Sequence, residues 1–420
     1  MRTKSLINFK DIKPDELPHY YEFAYPINKV QQVLNEQFGE ELTVYEAEEG
    51  LDELDESIEM MLQEKDPAIQ TLSSIYDRAA VSTISYNETD KYKIKPSLSN
   101  HFFYFPTFHV ASIKIPNHQN HMSFERSFLF ARCDQDLVHF LEYITLKQRE
   151  NMTEGITVLT DTDAGLNRSK EKLNNQVSRE NVLLDDHVKT DIFRSIDEFF
   201  VKGGEFYKEF EIPYKRGILL YGSPGNGKTT LVKSIAGSVP APVVYWQITE
   251  YTSSYSISEV FATVTKMAPL ALIIEDIDSM PEESRSVFLN TLDGATSKEG
   301  IFLIGTTNYP EKIDPALINR AGRFDRAYEI KQPGEPLRET YLRSKGLERF
   351  LDETAISQLT KQTKGLSIAQ LNELYMSIAL KWHYERQVDA EEIVKELQEN
   401  HRKTMKQEWE MEEYAGKLGF

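Results

Sequence analysis

The residues best suited to chemistry centre on one octapeptide, Gly222-Ser223-Pro224-Gly225-Asn226-Gly227-Lys228-Thr229. Glycine, four residues and then Gly-Lys-Thr is the spacing of a loop that wraps backbone N–H groups round phosphate oxygens. Lys228 would reach the terminal phosphates, and the Thr229 hydroxyl would ligate Mg²⁺. An apolar run, Gly217–Tyr221, precedes the loop, and a helical stretch follows it. That helix would offer its N-terminus to the anion. From average residue usage, the pattern arises by chance in about one or two per cent of chains this long, before the flanking strand and helix are counted. It is read as a nucleotide site.

Three further groups suit the same chemistry. Leu272-Ile-Ile-Glu275-Asp276 is an apolar strand ending in two carboxylates, about 45 residues beyond Lys228. One acid would hold Mg²⁺ and the other would polarise an attacking water. Gly305-Thr-Thr-Asn308 is another strand with a polar end, whose amide could orient that water. In Asp314–Asp325, Arg320 and Arg323 stand three residues apart. Either could stabilise charge on a transferred phosphoryl group, an effect of roughly 10³–10⁵ in rate.

The elements that position these groups are readable in outline. Short apolar runs at Gly217–Tyr221, Val243–Ile248, Leu270–Ile274 and Ile301–Gly305 alternate with helical patterns, which argues for a parallel sheet between helices. After Pro336 only helical spacing remains, with Leu371, Leu374, Ile378 and Trp382 on one face. Upstream, residues 1–180 read as α+β. Leu51, Leu54, Ile58 and Met61 predict a helix with a solvated acidic face, Val110–Ile115 and Phe124–Phe130 predict strands, Leu137–Ile144 predicts another helix, and Ile156–Leu159 one more strand. Thr160–Asn181 is polar and reads as a linker, despite a faint likeness of Asp161-Thr-Asp163-Ala-Gly165 to a calcium loop.

Composition narrows the function classes. A net charge of −19 on 420 residues is a poor match to nucleic acid. The single cysteine, Cys133, excludes an intrachain disulfide. Five of the nine histidines lie between His101 and His139 without the tight Cys/His pairing of a zinc site, and they are read as packing. No stretch reaches the roughly 18 apolar residues of a membrane span, and no signal-like segment opens the chain. The expectation is a soluble, cytoplasmic protein without a membrane span.

The four elements in this order resemble the AAA family of ring ATPases over roughly residues 180–380. Gly222–Thr229 is similar to Walker A, Leu272–Asp276 to Walker B, Asn308 to sensor 1, and Arg320 with Arg323 to the arginine-finger pair. Lys364–Leu371, with Ala369, resembles the start of the lid helix near the adenine. The resemblance implies an α/β fold: an AAA P-loop domain at 181–335, a C-terminal helical lid and tail at 336–420, and an N-terminal α+β substrate domain at 1–180. It further implies ATP and Mg²⁺ as ligands, a homo-hexamer or homo-heptamer, and a nucleotide site built from Ser223, Pro224, Gly225, Asn226, Gly227, Lys228, Thr229, Thr230 and Ala369. Thr229 and Glu275 would form the metal sphere, and Glu275, Asp276, Asn308, Arg320 and Arg323 the catalytic set.

Phe206-Tyr207, Ile212–Gly217, the Glu275-Asp276 order and Leu289–Gly294 are similar to the Bcs-type subgroup, and in particular to its soluble bacterial YjoB-like branch. That likeness implies chaperone-like remodelling or assembly of protein clients. Three departures from the wider family shape the expectation. Most members carry Asp-Glu at the Walker B end, so the shorter Asp276 predicts slow turnover and suits a nucleotide-gated scaffold as the alternative. The segment from Leu317 to Gly322 is one residue longer than usual. Gln247–Ser258 offers Tyr251 and Tyr255 but no adjacent glycine, which argues against a threading unfoldase.

Overall fold

The computed structural model describes residues 5–8, 23–39, 42–46, 52–77, 81–87, 91–119, 122–153, 155–163, 165–171, 177–293, 299–318 and 323–405. Contacts divide the chain into two units, residues 1–151 and 152–420.

The first unit contains β1 (Ser5–Ile7), α1 (Ala24–Phe38), β2 (Thr43–Glu46), α2 (Asp52–Glu64), β3 (Gln70–Tyr76), β4 (Ser82–Asn87), β5 (Lys91–Pro96), β6 (His101–Phe105), β7 (Val110–Gln119), β8 (Met122–Ala131) and α3 (Asp134–Thr153). Six strands form a sheet in the order β1-β3-β6-β7-β8-β2, and β4 pairs with β5 in a separate hairpin. Successive strand residues face opposite sides, so the run Phe102–Phe105 serves two cores. Phe102 and Tyr104 meet Val30 and Leu34 of α1. Phe103 and Phe105 meet Leu54, Ile58 and Met61 of α2 and Phe140 and Ile144 of α3. That double burial explains a strand with no polar face. The expected helix at Leu51–Met61 is α2, although Leu51 itself lies outside the described residues. Its acidic face is not wholly given to solvent, because Asp55 pairs with Lys114 and Glu59 with Lys95.

The second unit opens with β9 (Ile156–Thr162) and β10 (Gly165–Glu171). There follow α4 (Asp186–Phe200), α5 (Glu205–Glu209), β11 (Lys215–Tyr221), α6 (Lys228–Ala236), β12 (Val243–Gln247), α7 (Ser254–Lys266), β13 (Leu270–Glu275), α8 (Glu282–Asp293), β14 (Ile301–Thr307) and β15 (Arg326–Glu329). The sheet order is β10-β9-β12-β13-β14-β11-β15, parallel throughout except for β10. Ile218 and Leu220 pack toward α4 and α6. Leu219, between them, packs toward the layer of α7 and α8. Burial on both faces accounts for the continuous apolar runs. The parallel sheet between helices is therefore the observed fold. Four helices follow: α9 (Glu335–Ser344), α10 (Glu353–Gln362), α11 (Ile368–Glu385) and α12 (Ala390–Met405). They share a core of Leu342, Ile356, Leu359, Leu371, Leu374 and Ile378. No helix among the described residues is long and apolar enough to cross a membrane.

One stretch departs from its sequence reading. The start of the polar segment taken as a linker, 160–171, belongs instead to the β9–β10 hairpin at the sheet edge. Edge strands need an apolar pattern on one face only, so Gly165–Glu171 looks like linker in sequence. Asp161 is 2% exposed and braces the loop after β12. Its Oδ2 accepts from Trp246 Nε1 at 3.0 Å and from Thr252 Oγ1 at 2.6 Å, and its backbone oxygen accepts from Thr249 Oγ1 at 2.8 Å. Asp161→Ala would bury the Trp246 N–H and the Thr252 hydroxyl without that acceptor, at about 1–3 kcal/mol each. The expected result is a melting temperature lower by about 5–15 °C. A melting curve that coincides with wild type would refute the brace.

Candidate nucleotide site

Three strands of the second unit end at one place. β11 runs into Gly222, β13 ends at Glu275, and β14 delivers Thr306, Thr307 and then Asn308. Ligands of open parallel sheets bind at this carboxyl edge. Here the edge borders a cavity of about 310 Å³, within the range of small-ligand sites.

The loop from Gly222 to Gly227 has φ of +142° at Gly222, +78° at Gly225 and +94° at Gly227, values that side-chain-bearing residues rarely adopt. Gly225 is also a docking point for the lid. Its carbonyl accepts from the Ala369 N–H at 3.0 Å, and a Cβ on Gly225 would stand 2.9 Å from the Ala369 Cβ. The lid helix α11 is aimed there by its capping box, in which Ser367 and Gln370 satisfy one another's backbone N–H groups. The Lys228 side chain lies under the loop, donating to the carbonyls of Gly222 at 2.6 Å and Ser223 at 3.1 Å. Burial holds its pKa below the ordinary lysine value, opposed by the negative charges of Asp276 and Asp278. Placing phosphate there would answer that desolvation with opposite charge.

Glu275 and Asp276 are adjacent but differently placed. Glu275 is half-buried, and burial raises its pKa, while a hydrogen bond with Thr229 opposes the rise. Its Oε1 is buried with no hydrogen-bond partner among the described residues. A carboxylate beside a threonine hydroxyl, with an oxygen left over, is a fitting donor set for a small hard cation. Asp276 turns outward on a left-handed backbone, φ +50°. Its N–H donates to Thr306 Oγ1 at 3.1 Å, and its Oδ1 accepts from Asn308 Nδ2 at 3.0 Å. Asp278 accepts from Thr307 Oγ1 at 2.6 Å, which ties β14 to the turn after β13.

Most of the residues expected at the site converge. Pro224, Gly225, Gly227, Lys228, Thr229, Thr230, Glu275, Asp276, Asn308 and Ala369 all line the cavity. Ser223 reaches Lys228 only through its carbonyl, and the Asn226 side chain is buried away from the lining. Arg320 lies outside the described residues. Arg323 departs from its expected outward reach: it is 3% exposed and held within its own chain. Its Nε donates to Asp293 Oδ1 at 2.7 Å, and the rest of its guanidinium reaches Asp293 Oδ2 and the Ala316 carbonyl. The physical reason is a close crossing: a Cβ on Gly217 would stand 1.7 Å from the Arg323 carbonyl oxygen, so this segment is pressed against β11.

Sequence reasoning missed Thr306, Tyr341, Ile368 and Asn372, which also line the cavity. Tyr341 OH donates to Asn372 Oδ1 at 3.1 Å, and burial pushes the phenol up to about 12. Neither residue belongs to a motif, because each reaches the site through the folding of the lid.

Residues 218–332 match the family described as "ATPase family associated with various cellular activities (AAA)". The chain carries an AAA ATPase domain. The loop, the paired acids and Asn308 lie inside the matched residues. The chain is 29% identical over 216 residues to an ATP-dependent zinc metalloprotease FtsH of Staphylococcus haemolyticus, covering 46% of this chain and 29% of that protein. It is 31% identical over 231 residues to a cell division cycle protein 48 homolog of Archaeoglobus fulgidus, covering 50% and 31%. With an FtsH of Caldicellulosiruptor bescii the identity is 28% over 280 residues, covering 61% and 44%. The chain thus spans less than half the length of these relatives.

Proposed function

We propose that this chain is a Mg²⁺-dependent ATPase that works as a homo-oligomeric ring of six or seven copies in the cytoplasm. ATP turnover would drive chaperone-like remodelling or assembly of protein clients, engaged through the N-terminal unit. Within the AAA family we place it in the Bcs-type, YjoB-like subgroup. The observation that carries the reading is the pairing of Asn308 with Asp276 beside Lys228, Thr229 and Glu275 in one cavity.

In this reading the loop from Ser223 to Gly227 and Thr230 cradle the phosphates, Lys228 neutralises the β- and γ-oxygens, and Ala369 borders the base. Thr229 and Glu275 would hold Mg²⁺, which when bound screens phosphate charge. Asn308 orients the Asp276 carboxylate, and Asp276 accepts the proton of the attacking water as ATP is cleaved to ADP and phosphate. Arg320 of a neighbouring copy would complete the site, and Arg323, committed to Asp293, holds the segment that carries it. Clients are proteins; the charge of −19 weighs against nucleic acid.

A nucleotide-gated scaffold is the second reading, favoured by the shorter acid at Asp276. Under it Lys228→Ala abolishes function in cells and Asp276→Asn does not. A threading unfoldase is less favoured. Tyr251 and Tyr255 are 50% and 74% exposed, but the loop leading to them is pinned at Thr249 and Thr252 by Asp161.

The test is specific ATPase activity against protein concentration, with native mass measured on the same samples. Activity should rise as rings assemble. A specific activity that stays flat while mass falls to monomer on dilution would end the ring reading.

A further inference from the structure

The β4–β5 hairpin is an apolar surface inside a strongly acidic chain. Register pairs Ile84 with Ile94 and Tyr86 with Tyr92. These four residues are 70%, 67%, 64% and 73% exposed, although large apolar side chains usually go inside. They alternate at period two on neighbouring strands, so they lie on one face. The tyrosine rings meet edge-on with centroids 5.3 Å apart. Val81, at the hairpin base, is 55% exposed. Contiguous exposed patches of this kind mark interaction sites.

We propose that this face captures extended apolar segments of client polypeptides, by side-chain burial on Ile84, Tyr86, Tyr92 and Ile94 and by pairing with a hairpin edge. The inference rests on the client-handling reading above and gives it a site. Three observations choose the occupant. Four such side chains can bury on the order of 600 Å², which is less than the roughly 800 Å² per partner of a stable complex. That area suits reversible capture and falls short of a dimer interface. β4 and β5 pair with each other and with no third strand among the described residues, so strand edges remain for β-augmentation, which a lipid surface cannot use. The sequence joining the strands, Glu88-Thr89-Asp90, is acidic and would repel an anionic bilayer.

The experiment uses the full chain and a permanently unfolded probe, fluorescently labelled reduced and carboxymethylated α-lactalbumin, read by anisotropy. Ile84→Ser/Ile94→Ser and, separately, Tyr86→Ser/Tyr92→Ser should each weaken probe binding by about tenfold or more. Basal ATPase, melting temperature and native mass should be unchanged, because these side chains are exposed. Thr83→Ala, at the alternate register, should bind like wild type. If wild type binds the probe and both double variants bind it equally, the hairpin is not the site and the client reading stands. If wild type fails to bind, capture of extended segments by this face is overturned, while the ring ATPase reading keeps its own test of activity against native mass. A fall in native mass in the variants would assign the face to contacts between copies. Loss of binding to phosphatidylglycerol vesicles, with probe binding intact, would assign it to a membrane. Either result overturns the proposal.

Discussion

Asp276→Asn is expected to lower steady-state ATPase by about 10²–10⁴, the usual worth of a positioned general base. That corresponds to about 3–5 kcal/mol of barrier. ATP affinity should change little, because the substitution keeps the side-chain size and leaves Lys228 and Thr229 untouched. The assignment follows from the different surroundings of the paired acids. Glu275 is half-buried beside Thr229 with one oxygen left over, which suits a cation. Asp276 faces outward with Oδ1 anchored on Asn308, which suits a water. Glu275→Gln should therefore raise the Mg²⁺ concentration needed for half-maximal activity, and Asp276→Asn should not. Single-turnover ATPase with a fluorescent-nucleotide binding titration separates the two. A wild-type rate in Asp276→Asn would move the base role elsewhere and leave the outward acid unexplained.

The same contrast shows what could be read from the sequence alone. The strands at 217–221, 243–247, 270–274 and 301–305 were legible because burial on both faces demands unbroken apolar runs. The phosphate loop was legible because its glycines answer a backbone demand no other residue meets. Of the hairpin β9–β10, only the start of β9 at Ile156–Leu159 was; its end and β10 were not. Asp161 looks like polar linker until Trp246 and Thr252, 85 and 91 residues away, fold onto it. Tyr341 and Asn372 stayed hidden because their pairing across 31 residues depends on how α9 and α11 cross. Arg323 was legible as a charge but not as a buried one. Its partner Asp293 is 30 residues upstream at the end of α8, and no local spacing signals that closure.

Arg320→Ala and Arg323→Ala, though only three residues apart, are expected to fail in different ways. If Arg320 completes a neighbour's site, its loss should cut turnover by about 10³–10⁵. Folding should hold, and rings should still assemble. Arg323→Ala removes a guanidinium that is 3% exposed from Asp293 and from the Ala316 carbonyl. Truncating one member of a buried pair costs about 3–5 kcal/mol, and Asp293 keeps 29% of its exposure, so the lower end of that range applies. The expected fall in melting temperature is about 6–12 °C. Activity would fall as well, because Gly217 and Asp325 stitch this segment to β11 and a loosened segment cannot present Arg320.

Mixing decides between the two roles. Asp276→Asn subunits still carry Arg320, and Arg320→Ala subunits still carry Asp276, so mixed rings should recover activity at the interfaces that combine intact halves. Arg323→Ala with Asp293→Ala in one chain tests the pair directly. Its destabilisation should be less than the sum of the two single variants, the sign of an interaction present in wild type. Additive destabilisation, or a finger-like loss of turnover in Arg323→Ala at unchanged melting temperature, would return Arg323 to the neighbour's phosphate.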